Sequence, residues 1–290
     1  MNFKNDLAEI ASAQLAQEGI SIPPDWNEDD VCINFFELTH RWFDSSIPYK
    51  VVYSQELLAK MRELTDEEIL ALKDIEERLA NRKSITQYMS RGIKETNIKK
   101  SDFLLKNWNI YHLHLEKFVP PIARYTKPNL LFFQPKGQVV HFIDVLPHPS
   151  GVEWFKRELL ETIYKNWPNL LKFLNGVKPT QEIPDDEIHN LTKQVVTIID
   201  FHGGALIPSN HGVVCSGHSY MAVDKAHRIF NKLRICEQEL AKKEDEIKRA
   251  ILKSTGKSIN EALDYKLIIE SERFVAQEKH TLETINLFPI

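Results

Sequence analysis

Histidine titrates near neutrality, so it can both take and give a proton at physiological pH. Seven of the eleven histidines in this 290-residue chain fall in two windows: His112, His114, His141 and His148, then His202, His211 and His218. In Tyr111-His112-Leu113-His114-Leu115 the alternation of a strand puts His112 and His114 on one face, roughly 6.6 Å apart along the strand. Two imidazoles at that spacing suit one metal ion or one phosphate, or they line a half-buried polar face. Asp144 ends a second strand-like run, and His148 lies in the loop after it. A carboxylate can fix an imidazole tautomer and raise its basicity; whether Asp144 faces His148 or His114 stays open. His141 alternates onto the other face from Asp144 and reads as a sheet-face histidine.

The second window is rich in glycine, with four of the chain's ten glycines between 203 and 217. Gly203-Gly204 breaks a strand-like run, and Ser216-Gly217-His218-Ser219 feeds a helix N-terminus, where free amides favour an anion. Gly203, Gly204, Gly217, His218 and Ser219 are therefore the phosphate-binding candidates. The alternative is an ordinary turn with Ser219 as N-cap. The spacing matches neither a Walker loop nor G-x-G-x-x-G. Residues 82–106 hold Arg82, Lys83, Arg91, Lys94, Lys99, Lys100 and Lys106 against Glu95 and Asp102. This local positive excess is either a solvated face or a strip that contacts phosphates.

These residues need elements to hold them. Strands are expected at Ile110–Glu116, Leu130–Gln134 and Val139–Val145, the last two joined by a tight turn at Pro135-Lys136-Gly137. A helix is expected over 5–18, and a helical hairpin over 54–82, opened by Ser54 and by the Thr65-to-Glu68 capping box. Aromatic density over 31–53 indicates a packed segment. A capping box at Ser150 to Glu153 opens a helix ending at Trp167-Pro168. A polar connection (175–188), a strand over Val195–His202 and a short strand at Val213–Cys215 follow. A long helix starts at Ser219, and a capping box at Ser258 to Glu261 predicts a last helix to about His280. The plan is α+β, with a mostly antiparallel sheet, an N-terminal helical region (1–83), an α+β core carrying the histidine-rich site (84–218) and C-terminal helices packing on it (219–290).

Bulk properties narrow the setting. The chain is 42% hydrophobic and 27% charged, enough for a sizeable core, and its net charge of −4 exerts no overall pull toward nucleic acid or anionic membrane. The three cysteines, Cys32, Cys215 and Cys236, have no C-x-x-C spacing, which favours a reducing cytoplasm over a disulfide framework. No apolar signal core or membrane-length apolar run is present, so no membrane association is expected.

The stretch from Asp102 to Leu115 resembles a bacterial family of unassigned activity, whose W-x-I-x-H-L-H-L strand corresponds here to Trp108–Leu115. Phe142-Ile143-Asp144 with His148, and Asn166-Trp167-Pro168, also resemble that family, and the likeness covers roughly residues 85–240. The order of a helical hairpin and three strands is similar to RelE-type toxin endoribonucleases. That likeness implies RNA cleavage without metal through the 2′-hydroxyl.

Three functions suit these residues. The first is a metal-independent endoribonuclease in a toxin or phage-defence setting, with no cofactor. Its acid and base would come from His112, His114 and His148, with Asp144 beside them and Lys106 stabilising the phosphorane. The second is a metal-dependent hydrolase with ligands among His112, His114, Asp144 and His148. The third is a non-enzymatic module that binds nucleic acid or protein. The expected partners are RNA, through residues 82–106, and a protein partner or antitoxin.

Overall fold

The computed structural model describes residues 1–97, 102–116, 129–148, 157–179, 183–191, 198–256 and 258–290. In chain order the helices are α1 (Phe3–Gln17), α2 (Glu28–Arg41), α3 (Gln55–Lys60), α4 (Asp66–Ala80), α5 (Phe103–Trp108), α6 (Arg157–Asn166), α7 (Asp185–Leu191), α8 (Tyr220–Lys242) and α9 (Glu244–Thr255). The strands are β1 (Lys50–Tyr53), β2 (Tyr111–His114), β3 (Leu130–Lys136), β4 (Val139–Leu146), β5 (Lys172–Leu174), β6 (Ile199–Phe201), β7 (Gly204–Ile207), β8 (Tyr265–Glu270), β9 (Arg273–Glu278) and β10 (Thr284–Pro289). The fold is α+β, and antiparallel pairing dominates: among the described strands only β1 and β4 pair in parallel. Among the described residues no helix is long and apolar enough to cross a membrane.

By compactness the chain divides into two units, one of residues Met1–Phe36 with Ala222–Ile290, the other of Glu37–Met221. In the first, Phe3, Leu7, Cys32, Leu233, Leu267 and Phe274 share one core with the β10-β9-β8 meander. The segment 258–280, expected as a helix, is instead the β8–β9 hairpin. The capping-box letters at Ser258 suggested a helix start, but Tyr265 and Leu267 alternate with exposed neighbours as a strand requires. The turn consists of Ser271 and Glu272, both left-handed (φ 49° and 59°). Such turns usually advertise themselves by Asn or Gly, and neither is present here.

The second unit holds the histidine windows. Its main sheet runs β1-β4-β3-β2. Leu130-Leu131-Phe132-Phe133 is apolar without a break because both faces of β3 are covered. Leu131 and Phe133 join Leu113, Phe142, Leu72 and Ile75 on one face, the latter two from α4. Leu130 and Phe132 join Ile143, Leu159 and Ile163 on the other, with Phe201 of the β5-β7-β6 sheet. The β3–β4 turn is Gly137-Gln138, so Pro135 and Lys136 lie in the strand rather than in the turn. Gly137 has φ 57°, which a glycine adopts at little steric cost.

The expected helical hairpin is present as α3 and α4. Ser54 caps α3 by accepting from the Leu57 amide, and Thr65 and Glu68 form the reciprocal capping box of α4. The aromatic segment 31–53 supplies α2 and β1. The Val213–Cys215 strand reduces to one bridge between Val213 and Ser219. The Ser150 capping box and residues 195–197 of the expected strand lie outside the described residues, as do 98–101 of the basic strip.

Candidate active site

The site begins with a short helix. Asp102 caps α5 by accepting from the Leu105 amide through Oδ1. At the other end Asn109 is left-handed, φ 55°, a conformation Asn tolerates better than most residues. The chain therefore reverses at once into β2. The reversal brings the second carboxylate oxygen of Asp102 to His112 Nδ1, 2.9 Å away. The two groups form an ion pair when His112 is protonated. The sequence pattern offered Asp144 as a carboxylate for His148 or His114 and no carboxylate for His112. The signal for Asp102 was its N-cap position three residues before Leu105.

Alternation then places His114 on the same face as His112, with ring centroids 6.0 Å apart. Strands β2 and β4 both run antiparallel to β3, so they end at the same side of the sheet. The chain leaving β4 brings His148 back to His114, centroid to centroid 5.6 Å. His114 is buried, and His112 and His148 are half-buried. The result is a row, Asp102–His112–His114–His148, at one end of a rigid sheet.

Burial acts to raise the Asp102 carboxyl, but the charge and hydrogen bond of His112, with the Leu105 and Leu104 amides, outweigh it and hold it below the ordinary 3.8. Folding thus depresses this pKa, and the unfolded chain binds more protons between the two values. The stabilisation is complete above the unfolded aspartate pKa, near 3.9, and is lost as pH falls through the lower folded value. In urea unfolding below about pH 4, Asp102→Asn is therefore expected to lose less stability on acidification than the wild type. Identical pH dependence in the two proteins would rule out an ionised Asp102 partner to His112.

The other nominated residues take different positions. Asp144 meets Lys60 Nζ at 2.6 Å through Oδ2, and its Oδ1 accepts from the Val145 amide. Burial raises its carboxyl above 3.8 despite Lys60. Lys106 is buried, with its ammonium 2.6 Å from Glu37 Oε1 and donating to the Gly217 carbonyl at 2.9 Å. The Ser219 amide, an expected anion donor, is answered internally by Glu37 Oε2 at 2.8 Å. Burial acts upward on Glu37, but Lys106, the Ser219 amide and Arg41 together hold its carboxyl below 4.5. His218 Nδ1 lies 2.9 Å from Ser216 Oγ.

Gly203 sits with His202 in the two-residue turn between β6 and β7, with φ 72° and 51°. Gly204 is packed so that a Cβ there would lie 3.0 Å from the Phe173 ring. These glycines serve a hairpin. His202 stacks on Tyr164 at 4.3 Å and meets Glu161 at 2.8 Å. Lys106 of the basic strip thus touches the second window at Gly217, while His202 and His218 have partners of their own.

His141 donates through Nδ1 to the Gln134 carbonyl, and its ring packs edge-on against Trp167. Burial lowers its pKa below 6.5, as suits a neutral core histidine. Among the described residues no group of three or more His, Cys, Asp or Glu is placed to hold a metal ion.

No family model, curated protein or solved structure matches this chain. The site's chemistry therefore rests on its own geometry.

Proposed function

We propose that the His112–His114–His148 row is an acid–base site that cleaves RNA without a metal ion. The observation that carries this reading is the imidazole of His112 paired with a carboxylate, with the rings of His114 and His148 following it at 6.0 and 5.6 Å. An imidazole beside a carboxylate is suited to accept a proton, because the carboxylate stabilises the imidazolium that forms. In this reading His112 Nε2 removes the proton of a ribose 2′-hydroxyl. The 2′-oxygen attacks the adjacent phosphorus and the bond to the 5′-oxygen breaks. His148, at the other end of the row, gives its proton to that leaving oxygen. His114 holds the two rings in place. The products are a 2′,3′-cyclic phosphate and a 5′-hydroxyl, with protons and charge balanced between the two imidazoles.

Exposed Arg82, Lys83 and Lys94 of the basic strip supply positive charge for RNA in the same unit. A toxin or phage-defence role, with a protein antitoxin as partner, is the setting that the resemblance to toxin endoribonucleases would imply. The test is incubation of purified protein with end-labelled RNA, with and without EDTA, followed by analysis of the new ends. Cleavage that survives the chelator and leaves 2′,3′-cyclic phosphates is expected. Cleavage abolished by EDTA and restored by added metal would replace the imidazole mechanism with a metal-dependent one.

A further inference from the structure

We infer that Ser216 and His218 form a nucleophile–base pair that attacks carboxylic esters, a chemistry that goes beyond the RNA reading and does not rest on it. The pair is made by a small hairpin. The Val214 carbonyl accepts from the Gly217 amide at 2.7 Å, the Val214 amide donates to the His218 carbonyl at 2.9 Å, and Val213 bridges Ser219. These bonds define a three-residue loop, Cys215-Ser216-Gly217, whose last residue is left-handed. Gly217 takes that place with φ 83°, which glycine adopts without a steric penalty. The reversal sets Ser216 beside His218, with Oγ 2.9 Å from Nδ1.

The turn is held from below by α5 and Glu37. The Asn210 amide donates to the Asn107 carbonyl, and its side chain to that of Leu105. The Lys106 ammonium donates to the Gly217 carbonyl, and Glu37 accepts from the Ser219 amide. The two members of the pair differ in exposure. Ser216 is open to solvent, whereas His218 is 7% exposed. That division suits the roles, because a nucleophile must meet its substrate and its base need only meet the hydroxyl.

Charge decides the substrate class. A β-turn joins its first carbonyl to its last amide and leaves the two central amides over. Among the described residues the Cys215 and Ser216 amides meet no acceptor. They are neutral donors next to Oγ, of the kind that stabilise the single negative charge of a tetrahedral intermediate at carbon. A phosphoryl group in transfer carries more charge and is stabilised by cations. The cation that touches this turn, Lys106, is 3% exposed and already paired with Glu37.

In the reaction His218 Nδ1 takes the hydroxyl proton as Oγ bonds to the carbonyl carbon. The carbonyl electron pair moves onto oxygen and returns as the bond to the alkoxide breaks, and His218 gives its proton to the departing oxygen. Water, deprotonated in turn by His218, then attacks the acyl group on Ser216. The acid leaves and the serine recovers its proton.

The test treats the full chain with a fluorophosphonate probe, which bonds to an activated serine oxygen with loss of fluoride, and separately with p-nitrophenyl butyrate. One adduct is expected, mapped to Ser216 by peptide mass spectrometry. None is expected at the exposed Ser84 and Ser258, whose hydroxyls meet Thr86 and Asn260 instead of an imidazole. The ester is expected to release a burst of nitrophenolate before steady turnover, as an acyl-enzyme accumulates. Ser216→Ala is expected to lose both adduct and burst, and His218→Gln to slow both by about 10²- to 10⁴-fold.

No adduct at Ser216, or adducts shared equally with Ser84 and Ser258, overturns the proposal. So does a folded His218→Gln protein that reacts at the wild-type rate. If His218→Gln does not fold, the contrast among the three serines decides, because of these only Ser216 has an imidazole within reach. An adduct at Ser216 without an ester burst overturns the assignment to esters.

Discussion

Replacing His112 or His148 by alanine is expected to lower kcat/KM for RNA cleavage by about 10²- to 10⁴-fold each, the usual contribution of a positioned acid or base. The two variants should differ in their pH profiles. A base must be deprotonated to act, so His112→Ala should flatten the acidic limb, where rate rises with pH. An acid must be protonated, so His148→Ala should flatten the alkaline limb, where rate falls. The double variant should cost far less than the product of the single losses, because groups acting in one step are not additive. His148 is half-buried in the chain beyond β4, and removing its ring should leave the fold intact by circular dichroism. Wild-type kcat/KM in both folded variants would place the chemistry, if any, outside this row.

The second large effect concerns stability. Glu37 and Lys106 form an ion pair with side chains 2% and 3% exposed. Arg41 lies 3.5 Å from the same carboxylate and donates to the Glu95 carbonyl. The pair ties α2 to α5, and through Gly217 and Ser219 it holds the loop before α8. Removing one partner leaves the other charge buried, which costs about 3–5 kcal/mol. Lys106→Met is expected to destabilise by that amount in urea unfolding. Glu37→Gln combined with Lys106→Met should recover part of the loss, because the methionine matches the lysine stem and the glutamine oxygen still accepts from the Ser219 amide, while Arg41 loses its carboxylate partner. A Lys106→Met protein as stable as the wild type would show that the pair contributes little. A double variant no better than the single would show that the polar network, rather than the unpaired charge, carries the cost.

Lys106 also shows how far residue type alone reaches. In the sequence it is one of several cations in a basic strip, and nothing nearby distinguishes a phosphate contact from an internal ion pair. Its carboxylate partner is Glu37, remote in sequence, within an aromatic segment that offers no hint of a buried acid. Asp144 is a similar case. The strand pattern places it at the end of β4, but a bulge and a helix that replaces β1 at the sheet edge decide that it meets Lys60.

What the sequence determined by itself is local. The α+β class, the strands β2, β3 and β4, the α3–α4 hairpin and the shared face of His112 and His114 all follow from side-chain periodicity and capping chemistry, which act within a few residues. The approach of His148 to His114 was decided by the tertiary structure, because it depends on β2 and β4 running the same way on either side of β3. So was the pairing of Asp102 with His112, which depends on a left-handed Asn109 folding α5 back onto its own strand. The β8–β9 hairpin in place of a helix belongs there too. Its turn residues, Ser271 and Glu272, have no intrinsic preference for the left-handed conformation, and a packed apolar face on each strand is what holds them in it.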